Sequence, residues 1–250
     1  MGGAPSLPKA RSKALAVWLS KMKISGRGYL LNCCTASRAL VLATGLMLTP
    51  QLAAAHPHVW ITARSDVVFN EAGLIVAVVN DWTLDEAYSA VASDGLDVNH
   101  DGTYDTSELE PLTKENIDSL KDFEYFTYVY QNAQKVSLAT PDDASQSMMG
   151  RNLRLRFRVP LSTPIDPKTQ AFTYRVYDPS FYIAVEFDQS QPVHVLAAPS
   201  GCESKIEPPK ETEELSSTKD MLASKPMDWQ APLEENFGAL FADVVAVHCK

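Results

Sequence analysis

Five stretches of the chain, 125–130, 135–139, 153–159, 171–177 and 182–187, alternate apolar and polar residues with a period of two. That period belongs to strands that bury one face, because successive side chains point to opposite sides of a sheet. In 153–159 the alternation is strict: Leu153, Leu155, Phe157 and Val159 on one face, Arg154, Arg156 and Arg158 on the other. The arginines form a solvated sheet face that balances acidic residues rather than a nucleic-acid site. Upstream, 58–69 is rich in β-branched and aromatic residues, 70–73 (Asn-Glu-Ala-Gly) is a turn, and 74–82 returns as a strand, so the domain opens with a β-hairpin. Between this hairpin and the later strands, 85–93 reads as a helix capped by Asp85 or Thr83. A longer helix over 107–123 spaces Leu109, Leu112, Ile117 and Leu120 along one face, with Pro111 in its first turn. The expected class is α+β: antiparallel sheets with an inserted helix-loop-helix over 85–123.

The charges are unevenly distributed. Seven of the 22 basic residues, Lys9, Arg11, Lys13, Lys21, Lys23, Arg27 and Arg38, precede Ala55, and none of the 31 acidic ones does. The apolar run 39–48 is short of the roughly 20 residues that span a bilayer, and Ala53-Ala54-Ala55 follows it. A basic leader, a short apolar core and small residues describe a secretory signal over 1–55, with translation beginning at Met1 or Met22; an uncleaved anchor is the alternative. Cleavage after Ala55 leaves a periplasmic protein with no membrane span and 15 basic against 31 acidic residues, net −16. Such a body repels nucleic acid and anionic lipid and attracts cations, although solubility is the plainer use of surplus carboxylates. Cys33 and Cys34 leave with the leader, and no lipid-attachment pattern precedes them. Cys202 and Cys249 remain, an even pair in an oxidising compartment, for which a disulfide is simpler than a metal site. The reading thus divides the chain into a leader (1–55), an α+β domain (56–200) and a Pro-rich, acidic tail (201–250). Within the tail, 208–225 has the composition of a flexible linker, and 236–247 is a final apolar element.

One loop carries recognisable chemistry. Residues 97–108, Asp-Val-Asn-His-Asp-Gly-Thr-Tyr-Asp-Thr-Ser-Glu, place oxygen-bearing side chains at positions one, three, five, nine and twelve and glycine at six, the spacing of an EF-hand calcium loop. Calcium takes 6–8 oxygens, and only a tight loop can wrap that many around one point. Asp97, Asn99, Asp101, Asp105 and Glu108 would supply side-chain oxygens and Thr103 its carbonyl, while Gly102 permits the turn. Gly95 ends the entering helix early, and Tyr104 stands where paired hands carry an aliphatic residue. A lone hand implies weak, structural binding of Ca2+, in the ~10⁻⁴–10⁻³ M range of extracellular modules. A metal-free Asp/Asn/Gly turn is the alternative.

Cleavage after Ala55 would also create an N-terminus of His56-Pro57-His58, bringing an amine and two imidazoles within three residues. Pro57 has no N–H to surrender, which blocks the four-nitrogen plane that an N-terminal x-x-His offers copper or nickel. The amine, His56 and His58 remain, to be completed by His194, His248 or a carboxylate; imidazole suits nickel, cobalt, zinc and copper alike. The plainer reading is that His58 packs at the head of a strand. His100 falls on a non-ligand position of the loop.

His56-Pro-His-Val-Trp60, Asp81-Trp-Thr-Leu-Asp-Glu86, the 97–108 loop and Tyr177-Asp-Pro-Ser-Phe-Tyr182 together resemble the bacterial domain-of-unknown-function family numbered 1007. The likeness runs from about His56 to Phe187, with Cys202 and Cys249 as a tail pair. It implies a periplasmic component of an ABC-type transport system associated with nickel, cobalt or zinc. The expectation is therefore a calcium-stabilised metal-binding accessory protein serving a membrane transporter, not an enzyme. Two others stand beside it: a calcium-dependent structural or adhesive module without a second metal, and a copper enzyme using an N-terminal histidine.

Overall fold

The computed structural model describes residues 57–226, 229 and 231–250. The leader, His56 and the cleavage point lie outside the described residues. Among the described residues, eleven strands form two sheets. The first contains β1 (Val59–Phe69), β2 (Ile75–Leu84), β5 (Asp142–Met149), β6 (Asn152–Ile165), β8 (Ile183–Phe187) and β9 (Val193–Leu196). Its order is β5-β6-β2-β1-β8, with β9 also pairing β1. The second contains β3 (Thr127–Gln131), β4 (Gln134–Lys135), β7 (Phe172–Val176), β10 (Cys202–Glu207) and β11 (Val244–Cys249), in the order β10-β11-β7-β3-β4. Four α-helices accompany them among the described residues: α1 (Glu86–Ala92), α2 (Thr106–Leu120), α3 (Glu213–Ala223) and α4 (Gly238–Phe241). The class is α+β, and the opening hairpin forms as the residue types predict, β1 against β2 with Val67 opposite Val78.

The first sheet is mixed rather than antiparallel. The eleven-residue β1 is long enough to seat two short strands end to end, β8 against Val59 to Ala63 and β9 against Ser65 to Val68, both parallel. The step between them is made by Asp188, whose carboxylate accepts the N–H groups of Ser190 and Gln191 and the guanidinium of Arg64. Ser190 adds its hydroxyl, and these donors hold the Asp188 carboxyl well below the usual range, the Ser190 hydroxyl foremost.

Alternation in β6 works as written. Leu153, Leu155, Phe157 and Val159 are buried, and the arginines face Asp residues across neighbouring strands. Arg154 grips Asp81 with two donors, Arg158 holds Asp142 at 2.8 Å, and Arg156 lies between Asp66 and Asp143. This is a neutralised sheet face. Inward side chains of both sheets share one core, in which Trp82 meets Phe157 edge-on at 4.8 Å between ring centres. A buried hydrogen bond from Asn80 Nδ2 to Thr127 Oγ1, 2.8 Å, ties β2 to β3 across it.

Two local readings need correction. The charge-rich segment 208–225 is not wholly a flexible linker: α3 forms there, capped by Thr212, because Leu215, Thr218 and Leu222 make a narrow buried seam. The i, i+3, i+7 spacing was hidden by the acidic composition. Pro111 is the sixth residue of α2, not part of its first turn, so the carbonyl of Ser107 loses the partner a helix would give it. Strands β10 and β11 bring 202–207 and 244–249 of the tail into the second sheet, with Val245 opposite Tyr174. Cys202 and Cys249 sit opposite each other in that pairing and form a disulfide.

Candidate metal-binding region

The 97–108 segment joins α1 to α2. α1 is capped by Asp85, whose Oδ1 accepts the N–H of Tyr88 at 2.9 Å. It ends at Ser93, and Gly95 takes a left-handed φ of 75°, which separates helix from loop. Inside the loop each acid bonds to nearby N–H groups. Asp97 accepts from Asp101 and Gly102 (3.1 and 3.0 Å), Asn99 Oδ1 from Asp101 (2.8 Å), and Asp101 from the N–H and hydroxyl of Thr103 (2.8 and 2.7 Å). Gly102, at φ 81°, makes the bend, and a Cβ there would meet nothing within 4 Å, so the demand on glycine is conformational alone.

At the far end Asp105 is the N-cap of α2 and forms a capping box with Glu108: Oδ1 of Asp105 accepts the Glu108 N–H at 2.9 Å, and Oε2 of Glu108 accepts the Asp105 N–H at 3.1 Å. The other oxygen of Glu108 reaches back to the N–H groups of Val98 and Asn99, at 2.8 and 3.3 Å. One carboxylate therefore clasps the first and last turns of the loop. Hydrogen bonds hold the carboxyls of Asp101 and Asp105 below the usual range, from the Thr103 hydroxyl and the Ser107 hydroxyl foremost. The candidate ligand atoms are all oxygens, the type a hard cation takes. Among the described residues, however, no group of three or more His, Cys, Asp and Glu side chains stands ready to hold a metal ion. A cation would have to draw Asp97, Asp101 and Glu108 together with Asn99 and the Thr103 carbonyl.

A second convergence is invisible in the linear chain. Parallel pairing of β1 with β8 sets Val59 opposite Ile183, so His58 stacks on the ring of Tyr182, 4.5 Å apart and nearly parallel, and its backbone N–H donates to the Tyr182 carbonyl. Trp60 exchanges two hydrogen bonds with Asp85: its N–H donates to the Asp85 carboxylate and its carbonyl accepts the Asp85 N–H, both at 2.9 Å. Asp178, wholly buried, accepts the N–H groups of Ser180, Tyr182 and Ile183 and the Ser180 hydroxyl. Burial pushes its carboxyl up against the pull of these four donors. Three motifs that are far apart in sequence thus meet at one end of β1. Tyr88, on α1, is raised above the usual phenol range there, by burial first and then by the charges of Glu115 and Asp85 and by Tyr182. Glu115 comes from α2, the helix that Glu108 begins, and sequence reasoning did not single it out.

The other described histidines do not join His58. His194 lies opposite Asp66, eight residues along β1, about 26 Å away at 3.3 Å per strand residue, and its Nδ1 is 3.2 Å from Asp66. His248 is exposed on β11, in the other sheet, and His100 is exposed at φ 60° in the loop.

Fold and site thus define an α+β protein of two sheets, with a clasped acidic loop between two helices and a histidine-tyrosine junction at the head of its first strand. The family described as "Protein of unknown function (DUF1007)" matches residues 41–249, and the chain belongs to that family. An uncharacterized protein of Haemophilus influenzae is 24% identical over 198 residues, which cover 78% of this chain and 92% of the relative. An uncharacterized 15.5 kDa protein in the trpE 3' region of Spirochaeta aurantia is 31% identical over 105 residues, covering 42% of this chain and 74% of the relative.

Proposed function

We propose that this protein is a periplasmic metal-binding accessory protein: calcium in the 97–108 loop stabilises it, and His56 and His58 present a transition metal to a membrane transporter. The observation that carries the calcium reading is the Glu108 clasp, which joins Val98, Asn99 and Asp105 through one carboxylate. Asp97, Asn99, Asp101, Thr103, Asp105 and Glu108 would hold the ion. It would supply positive charge to four carboxylates crowded into twelve residues and so fix α2 relative to α1.

The transition-metal half rests on the order His56-Pro57-His58, on the transport association that the family resemblance implies, and on the surroundings of His58. Glu115 acts on Tyr88, and so does Tyr182, on which His58 stacks. A carboxylate rather than the distant His194 would complete the set. A second reading, a calcium-dependent structural module without a second metal, is favoured by the same stack, since packing on Tyr182 by itself accounts for His58. The copper-enzyme reading gains no observation.

Metal analysis of the processed protein separates these readings. Nickel, cobalt, zinc or copper retained by the parent and by Asp97→Ala, but lost by His56→Ala, supports the accessory role. Calcium alone, lost in Asp97→Ala, supports the structural module. Neither metal in any form overturns both.

A further inference from the structure

We propose that a cleft on the second sheet, on the side turned away from the main core, binds the alkylammonium group of a small molecule. The cleft has a volume of about 340 Å³, and Asp122, Glu124, Tyr128, Tyr130, Lys135 and Tyr177 are among the residues lining it, with Asn236. That volume lies at the small end for a ligand pocket, which limits the occupant to a compact molecule.

Its chemistry is that of a cation site. Tyr128 and Tyr177 stack at 4.2 Å, in a small cluster separate from the main core, with Tyr130 packed against it. Their phenols are fixed: Tyr128 donates to the Phe123 carbonyl at 3.1 Å, and Tyr177 accepts from Asn236. Both rings are buried and stacked on each other, so the Tyr128 ring surface a ligand could reach is the one under Lys135, beside the carboxylates of Asp122 and Glu124, and aromatic faces attract ammonium groups. An ammonium is in fact seated there already. Lys135 Nζ lies 4.9 Å from the centre of the Tyr128 ring and 2.5 Å from Glu124 Oε1. Lys135 is half exposed on a two-residue strand at the tip of a hairpin, so its side chain can swing out.

The backbone on the acidic side is strained to make this arrangement. Glu124, Tyr125 and Phe126 are three consecutive non-glycine residues at φ 54°, 57° and 52°, a conformation that L-residues avoid. Such strain concentrates at ligand-binding segments. It is held by Thr127, whose N–H returns to Glu124 and whose hydroxyl returns to Tyr125, and by the Tyr177 N–H on the Phe126 carbonyl. A surface ion pair between Lys135 and Glu124 would need neither the bend nor the tyrosine wall. Lys135 is then an internal competitor, whose high effective concentration weakens the site toward free ligand.

The test is n-butylammonium binding to the processed protein, followed by the ring-proton shifts of Tyr128 and Tyr130, with n-butanol as the neutral counterpart. Lys135→Ala is expected to bind butylammonium at least tenfold more tightly than the parent. Adding Glu124→Gln or Tyr130→Leu to Lys135→Ala is expected to reverse the gain, and n-butanol is expected to bind none of them. Lys135→Met, which keeps the stem and loses the charge, serves as the second variant should Lys135→Ala fail to fold. Equal binding of butylammonium by the parent and the Lys135 variants, or equal binding of the alcohol and the amine, would overturn the proposal.

Discussion

Removing the disulfide should cost this protein a large part of its stability, and the size of the loss follows from the fold. Cys202 and Cys249 are 47 residues apart, and they face each other in the β10–β11 pairing that completes the second sheet. The bridge closes a loop containing α3 and α4, so in the unfolded chain it removes the freedom of nearly fifty residues. The loop-entropy relation gives about 4 kcal/mol at 25 °C for a loop of that length. Both cysteines also pack partly against the core, so serine at these positions adds a small burial loss rather than relief. The assay is urea unfolding of the oxidised parent and of Cys202→Ser/Cys249→Ser, read by the fluorescence of buried Trp82. With a slope of about 2–3 kcal/mol per molar urea, the midpoint should fall by about 1.3–2 M, and the slope should rise as the unfolded state expands. A loss below about 1 kcal/mol would refute the reasoning, because β10 and β11 would then be held in place without the bridge.

Further outcomes follow from single residues. Gly238→Ala would set a Cβ 1.9 Å from the backbone oxygen of Asp178, so it should cost about 3 kcal/mol or more in chemical denaturation, at the top of the overpacking range. Asp85→Ala removes the α1 cap and the acceptor for the Trp60 N–H, which should lower stability by about 1–2 kcal/mol in the same assay. The Asp188 carboxyl is depressed in the folded state. Its contribution is therefore fully present above the unfolded value near 3.8 and is lost as pH falls through the lower folded one. The urea midpoint of the parent should accordingly drop more steeply between pH 4 and pH 2 than that of Asp188→Asn.

What the residues disclosed in advance depended on how local the information was. Burial of Leu153, Leu155, Phe157 and Val159, and the cap at Asp85, were legible because period-two alternation and capping chemistry act over a few residues. β5 was not: an edge strand of Asp, Ser, Gln and Met, with Gln146 alone wholly buried, carries no apolar period. The parallel seating of β8 and β9 on β1 was equally hidden, since register between distant segments leaves no mark on either. The same division runs through the site. The oxygen-bearing positions 97–108 are consecutive and could be named, whereas the His58–Tyr182 stack and the place of Glu115 depend on pairings more than a hundred residues long or on helix packing.

The most direct measurement is the melting temperature of the processed protein in excess chelator and in ~10 mM calcium, for the parent and for Glu108→Gln. At a hundredfold excess over a dissociation constant near 10⁻⁴ M, linkage gives about 2.7 kcal/mol, or roughly 5–10 °C for a chain of this size. The parent should gain that increment and Glu108→Gln little of it. Identical melting of the parent in chelator and in calcium would contradict a cation-closed loop.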